Sequence, residues 1–180
     1  MKIETLKILF QEEIKDIYDF EKRLVRAIPK MAKAATSQEL RSGLMEHLEV
    51  TRGQVARVEE IFQILDMPAK AKTCAGMKGI IEEGEETIEM DGDPSLLDVA
   101  IIGAAQRVEH YEMAAYASAR MMAETLGNSK IADLLQKTWD EEQEADETLA
   151  TLAGQLLSSM EGRPEVTEER QPKTRTSRGQ

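Results

Sequence analysis

Three helical segments of this chain carry a glutamate where a buried stripe calls for an apolar side chain. Alternating spacings of three and four trace one face of a helix, and in the first segment they give Phe10, Ile14, Ile17, Glu21, Leu24, Ile28 and Met31. A later segment gives Ile101, Ala105, Val108, Glu112, Ala115, Ala119 and Met122. The last gives Ile131, Leu135, Thr138, Glu142, Ala145, Leu149, Leu152 and Leu156. The second segment departs from the pattern, because its best stripe is Leu44, Leu48, Thr51, Val55, Val58, Phe62 and Leu65, with Glu49 one position to the side.

Carboxylates gathered among apolar side chains repel one another and lose hydration, so they either destabilise the fold by several kcal/mol each or stay protonated. A bound cation removes that conflict. Glu21 and Glu49 flank Thr36, and Glu112 and Glu142 flank Gly127. Each lies about 13 to 15 residues from its turn, or roughly 20 to 23 Å along a helix, so the four belong to one layer. Glu109, one turn before Glu112, and Asp146, one turn after Glu142, offer further oxygens that could bridge or chelate. Gln54 or His47 could assist from the second helix. The competing reading places these glutamates at stripe edges, reaching solvent or paired with cations such as Arg52. Matched heights in three helices favour the metal site. An oxygen-rich shell suits Mg²⁺, Ca²⁺ and Mn²⁺ better than Zn²⁺ and remains open to iron. His47 and His110, taken singly, read as surface or capping groups. Tyr18, Tyr111, Tyr116 and the ten methionines read as packing.

The elements that must hold this layer are all helices. Helix formers dominate, Gly and Pro are confined to a few places, and no β-branched run alternates with period two. A first helix is predicted from about Thr5 to Ala35, with Pro29 kinking its last turns. Thr36 reads as the N-cap of a second, with Glu39 completing a capping box, and this helix runs to about Asp66 before Met67 and Pro68. Residues 67–94 form a long crossover with a short helix near Met77 to Met90. Asp93, Pro94 and Ser95 open the next helix, with Pro at N1 and Asp98 boxed to Ser95. It ends at Gly127 and Asn128, and the last helix runs from Ser129 to about Leu157. Residues 158–180 have little to bury and are expected to be a disordered tail. Two short-turn helix pairs joined by one long crossover are the topology of a ferritin-like four-helix bundle over residues 1–157. The likeness of IPKMAKAATSQEL to ARMMAETLGNSKI suggests an internal duplication.

Composition narrows the function. The 180 residues carry 23 Lys and Arg against 34 Asp and Glu, a net charge of -11, so nucleic acid is not an expected partner. No apolar run reaches the roughly 18 to 20 residues of a membrane span, and Gln11, Glu12 and Glu13 interrupt the N-terminal segment before a signal core can form. A cytoplasmic location, with no membrane partner, is expected. One cysteine, Cys74, makes neither an intrachain disulfide nor a thiolate zinc cage. No phosphate loop, nucleophile elbow or HExxH motif occurs.

The blocks IYDFEKRLVRAIPKMAKAATSQEL, EHLEVTRGQVARVEEIF, CAGMKGIIEEG, RVEHYEMAAY and WDEEQEADETL, in order and ungapped across residues 5–157, resemble the YciE/YciF-like ferritin-like family of bacterial stress proteins. The resemblance implies a ferritin-like bundle, a two-metal centre holding two divalent ions, iron or manganese, a homodimer and a role in stress responses. Against the rubrerythrin-like pattern, Glu21 matches the first-helix glutamate, Glu109 and Glu112 the ExxE of the third bundle helix, and Glu142 the glutamate of the fourth. The ExxH pairs of standard di-iron sites are absent: Arg52 follows Glu49 and Ala145 follows Glu142 at the expected histidine positions. The activity anticipated is oxidation of Fe²⁺ or metal sequestration, with a catalytically silent adaptor bundle as the alternative.

Overall fold

A computed structural model describes residues 4–161. Five helices follow in order: α1 (Leu6–Ala34), α2 (Gln38–Ile64), α3 (Ala75–Ile88), α4 (Pro94–Thr125) and α5 (Ser129–Met160). Helices α1 and α2 form one antiparallel pair and α4 and α5 the other. The crossover helix α3 leans on α4 and α1. This is the four-helix bundle with a long crossover and a short extra helix.

Local chemistry explains most of the boundaries. The Thr5 hydroxyl accepts from the Ile8 amide at 3.2 Å and caps α1. That helix continues as one element through Pro29. The α4–α5 hairpin closes as a Schellman turn, with Asn128 N–H donating to Ala123 O at 2.9 Å and Gly127 N–H to Glu124 O at 3.0 Å. Gly127 takes φ +75°, a conformation that suits a residue without Cβ. The end of α2 uses the same bonding with Asp66 at φ 52°, so α2 stops at Ile64, slightly earlier than its sequence suggested.

The cap of α2 is Ser37 rather than Thr36: the Ser37 hydroxyl accepts from Leu40 N–H at 3.3 Å. Thr36 is occupied elsewhere. Asp98 of α4, 1% exposed, accepts from Thr36 N–H at 2.7 Å, the Thr36 hydroxyl at 2.7 Å and Ser37 N–H at 2.8 Å. The expected box between Asp98 and Ser95 therefore does not form, and Asp93 alone caps α4, at 2.8 Å from Ser95 N–H. Because Asp98 ties the first hairpin to the second pair, it acts across the bundle.

The crossover is pinned along α1. Lys72 N–H donates to Lys15 O at 3.0 Å and Cys74 N–H to the Asp19 carboxylate at 2.9 Å. Cys74 caps α3, which begins at Ala75 and ends at Ile88. A Cβ at Gly76 would lie 2.6 Å from the Tyr111 hydroxyl, so glycine lets α3 approach α4 there. At the other end α5 extends to Met160, past the expected Leu157. The remainder of the expected tail lies outside the described residues. The apolar stripes read from α1, α4 and α5 face the core formed by Phe10, Ile14, Ile17, Leu24, Ile101, Ile131 and Leu135.

Candidate metal centre

Helical periodicity sets Glu21, Glu112 and Glu142 into the core with the apolar residues that flank them, and all three are essentially fully buried. Glu109, one turn from Glu112, is 3% exposed. Ligand atoms of His47, Glu109, Glu112 and Glu142 all lie within 4.8 Å of one another. His47 Nε2 stands 3.6 Å from Glu109 Oε1 and 3.5 Å from Glu142 Oε2, too far for a hydrogen bond but suited to ligands sharing one ion.

Glu21 adjoins this group beside Glu112, and its Oε1 accepts the hydroxyl of the buried Tyr116. The ring of Phe20 lies edge-on to both Tyr116 and Tyr111, with centroids 6.0 Å apart in each case, walling the Glu21 side with aromatic carbon. From α2, the buried Gln54 donates its amide to Glu142 and, at 3.3 Å, to Glu141.

Electrostatics sharpen the conflict. Burial, reinforced by the Glu142 charge, pushes Glu21 up to about 8. Burial likewise raises Glu109 and Glu112 well above the carboxylate range, with neighbouring carboxylates adding to the effect. Tyr116 is raised too, first by burial and then by the charges of Glu21 and Glu112. Arg57, whose field bears on Glu21, is already committed to both oxygens of Glu141 at 2.8 Å.

Among the described residues, six buried side-chain oxygens lack a hydrogen-bond partner: Glu21 Oε2, Gln54 Oε1, Glu109 Oε2, both oxygens of Glu112, and Glu142 Oε2. All are acceptors, and all belong to this layer. A set of converging acceptors without donors fits a cation. Four carboxylates, an amide oxygen and one imidazole form a predominantly hard donor set.

Two of the sequence candidates stand apart. Glu49 projects outward, its side chain 65% exposed, and pairs with Arg52 on the surface. One position off the stripe is about 100° around a helix, which carries its carboxylate away from the core, and Arg52 goes with it rather than neutralising the centre. Asp146 lies at the rim, where it accepts from Gln106 at 2.9 Å and faces His110 Nε2 at 3.3 Å. The α2 contributions that do reach the layer are His47 and Gln54. They lie seven residues apart on one face with Thr51 between them, a spacing visible in the sequence though less conspicuous than a glutamate.

A cavity of about 260 Å³ opens between α2 and α5. His47 and Glu109 line it together with Leu40, Leu44, Leu149 and Leu152, while Glu46 and Glu144 add carboxylates to its wall.

The family described as "Domain of unknown function (DUF892)" matches residues 5–160. Protein YciF of Escherichia coli strain K12 is 38% identical over 154 residues, which span 85% of this chain and 93% of that protein. The crystal structure of the E. coli stress protein YciF superposes with a TM-score of 0.84 at 37% identity, covering 87% of this chain and 99% of the other. The structure of YcfI, described as a putative structural protein from Rhodopseudomonas palustris, superposes at 0.81 with 37% identity, covering 83% of this chain and 96% of that one. The likeness read from the helix blocks thus extends through the bundle, and the chain belongs to the DUF892 family, alongside YciF.

Proposed function

We propose that this protein is a cytoplasmic stress-response protein whose bundle holds two divalent metal ions, iron or manganese, and which oxidises Fe²⁺ or sequesters metal. The observation that carries this reading is the layer of unpartnered buried acceptors around Glu112. Glu21, Glu109, Glu112, Glu142 and His47 would hold the ions. A redox-active pair of ions would supply electrons to dioxygen or peroxide when bound.

The chain's own part is positional. Glu112, with neither oxygen hydrogen-bonded, would be available as a ligand through both. Tyr116 fixes one oxygen of Glu21 and leaves the other without a partner. Gln54 orients Glu142 in the same way. The acidic cavity between α2 and α5 favours entry of cations over anions.

Metal content of protein purified without added metal, and oxygen uptake on adding Fe²⁺, test the reading. Stoichiometric metal with oxygen uptake is expected for an oxidase, and stoichiometric metal without uptake for sequestration. Metal-free protein that ignores added Fe²⁺ overturns both. The second reading, an adaptor bundle with a silent site acting through dimer and acidic surfaces, is favoured by one comparison, the YcfI structure described as a putative structural protein. Homodimerisation is part of either reading. A monomer in sedimentation at micromolar concentration would remove it.

No helix among the described residues is long and apolar enough to cross a membrane.

A further inference from the structure

The two helix pairs correspond at a constant offset. Helices α1 and α4 end at Ala34 and Thr125, and α2 and α5 begin at Gln38 and Ser129, both differences being 91. At that offset Glu21 corresponds to Glu112, and Glu142 corresponds to Thr51. Thr51 is 1% exposed and lies on the face of α2 between His47 and Gln54. Both of those neighbours reach Glu142, so Thr51 stands opposite that carboxylate. Its hydroxyl is spent on His47 O at 2.9 Å. In place of a fourth duplicated carboxylate, α2 thus presents no carboxylate to the centre.

Resting on the metal-centre reading, we propose that the two ion positions are unequal: a tight one formed by His47, Glu109, Glu112 and Glu142, and a weaker one on the Glu21 side, where Thr51 replaces the carboxylate that symmetry would supply. The tight position has three carboxylates and an imidazole within one 4.8 Å cluster. The Glu21 side has a single carboxylate of its own and must share Glu112 or Glu142 with the first ion. Affinity for hard divalent ions follows ligand charge and number, so the second ion binds less tightly. At limiting metal the protein is therefore mononuclear.

The test is Mn²⁺ titration of the full chain, read by calorimetry and by the electron paramagnetic resonance signal of Mn²⁺. Wild type is expected to bind one ion per chain first and a second at least about tenfold more weakly, a gap of about 1.4 kcal/mol. E21Q keeps an acceptor for Tyr116 and should abolish the second step while leaving the first within about threefold, whereas H47A should weaken the first by about tenfold or more. T51E, which restores the carboxylate, should tighten the second step by about tenfold and broaden the resonance through coupling of adjacent ions. Circular dichroism and melting confirm that each variant folds, and if T51E does not, the wild-type isotherm and E21Q decide. Two ions of equal affinity in wild type, or an E21Q variant that loses the first ion as fully as H47A, overturns the inequality while leaving the centre standing. Absence of any Mn²⁺ or Fe²⁺ binding overturns the centre and the inference together.

Discussion

Asp98 and Glu112 are equally buried, each 1% exposed, yet their surroundings are opposite. Asp98 accepts three hydrogen bonds from Thr36 and Ser37, while neither oxygen of Glu112 has a partner. Burial alone therefore says little about what a carboxylate does, whereas the supply of donors says a great deal. Satisfied by donors from another element, a carboxylate works as a clamp, and the energy of its hydrogen bonds goes into holding the α1–α2 turn against α4. Left among other acceptors, it gains nothing from the protein itself, and something that binds must provide the positive charge. The glutamate layer pays in stability for that readiness.

The largest effect expected from this contrast falls on Asp98. Asp98→Ala removes the shared acceptor of three donors and should destabilise the protein by about 3 kcal/mol in urea unfolding with chelator present. Asp98→Asn retains one acceptor oxygen and should recover part of the loss. A neutral Asp98→Ala would mean that water satisfies the turn equally well and that the clamp is dispensable.

Next comes the ion. Saturation at about 100 times the dissociation constant should add roughly 2.7 kcal/mol, because the unfolded chain has no assembled centre to bind it. The pH dependence follows from Glu21, which burial raises from 4.5 to about 8. Between those values the native protein holds a proton that the unfolded chain has released, so the stability from this group is complete below the lower value and lost as pH rises to the upper one. Metal-free protein should consequently melt lower as pH rises through this window. Ion binding requires the deprotonated carboxylates, so added Mn²⁺ should raise the melting temperature more near the top of the window than near the bottom. Melts with Mn²⁺ or chelator at both ends check this. A chelator response independent of pH would separate Glu21 from the ion.

Glu112→Gln should have a smaller effect on the metal-free protein and one of unusual sign. It keeps the shape of the side chain and puts a neutral amide where burial and the neighbouring carboxylates already oppose ionisation, so the apo-protein should be unchanged or up to about 1 kcal/mol more stable. Tight Mn²⁺ binding should disappear at the same time. A variant that melts lower without metal, in a protein that ignores every divalent ion, would favour the adaptor reading.

The bundle and the inward turn of the α1, α4 and α5 glutamates were legible because a glutamate in an apolar stripe breaks a strong periodicity. Glu21, Glu112 and Glu142 needed no tertiary information beyond the heights of the turns. The α2 contribution was harder to read. Gln54 and Thr51 are uncharged and resemble ordinary helix residues, and His47 taken singly resembles a surface group, so Glu49 drew attention by its charge. Their convergence depends on how α2 is rotated against α5, which local pattern does not encode. Asp98 was misread for a similar reason. Its sequence neighbours offer a capping role, and the donors that claim it come from a turn some sixty residues earlier.

The smallest expected effect tests that last distinction within a single residue type. Glu49→Gln changes a carboxylate at nearly the same height as Glu21, but one whose side chain is 65% exposed and whose partner, Arg52, is 55% exposed. Water screens an ion pair at such a site, and pairs of this kind contribute at most about 0.5 kcal/mol. The stability of Glu49→Gln should therefore lie within about 0.5 kcal/mol of wild type, and its Mn²⁺ isotherm should overlay the wild-type curve. Charge and height along the bundle are nearly the same in Glu49 and Glu21, and direction is what separates them. If Glu49→Gln weakened ion binding as Glu112→Gln is expected to, α2 would have to rotate on loading to bring Glu49 inward, and the centre would be assembled by the ion rather than prepared for it. An unchanged isotherm places the recognition in the side chains already turned inward, His47 and Gln54 on α2 and the buried glutamates opposite.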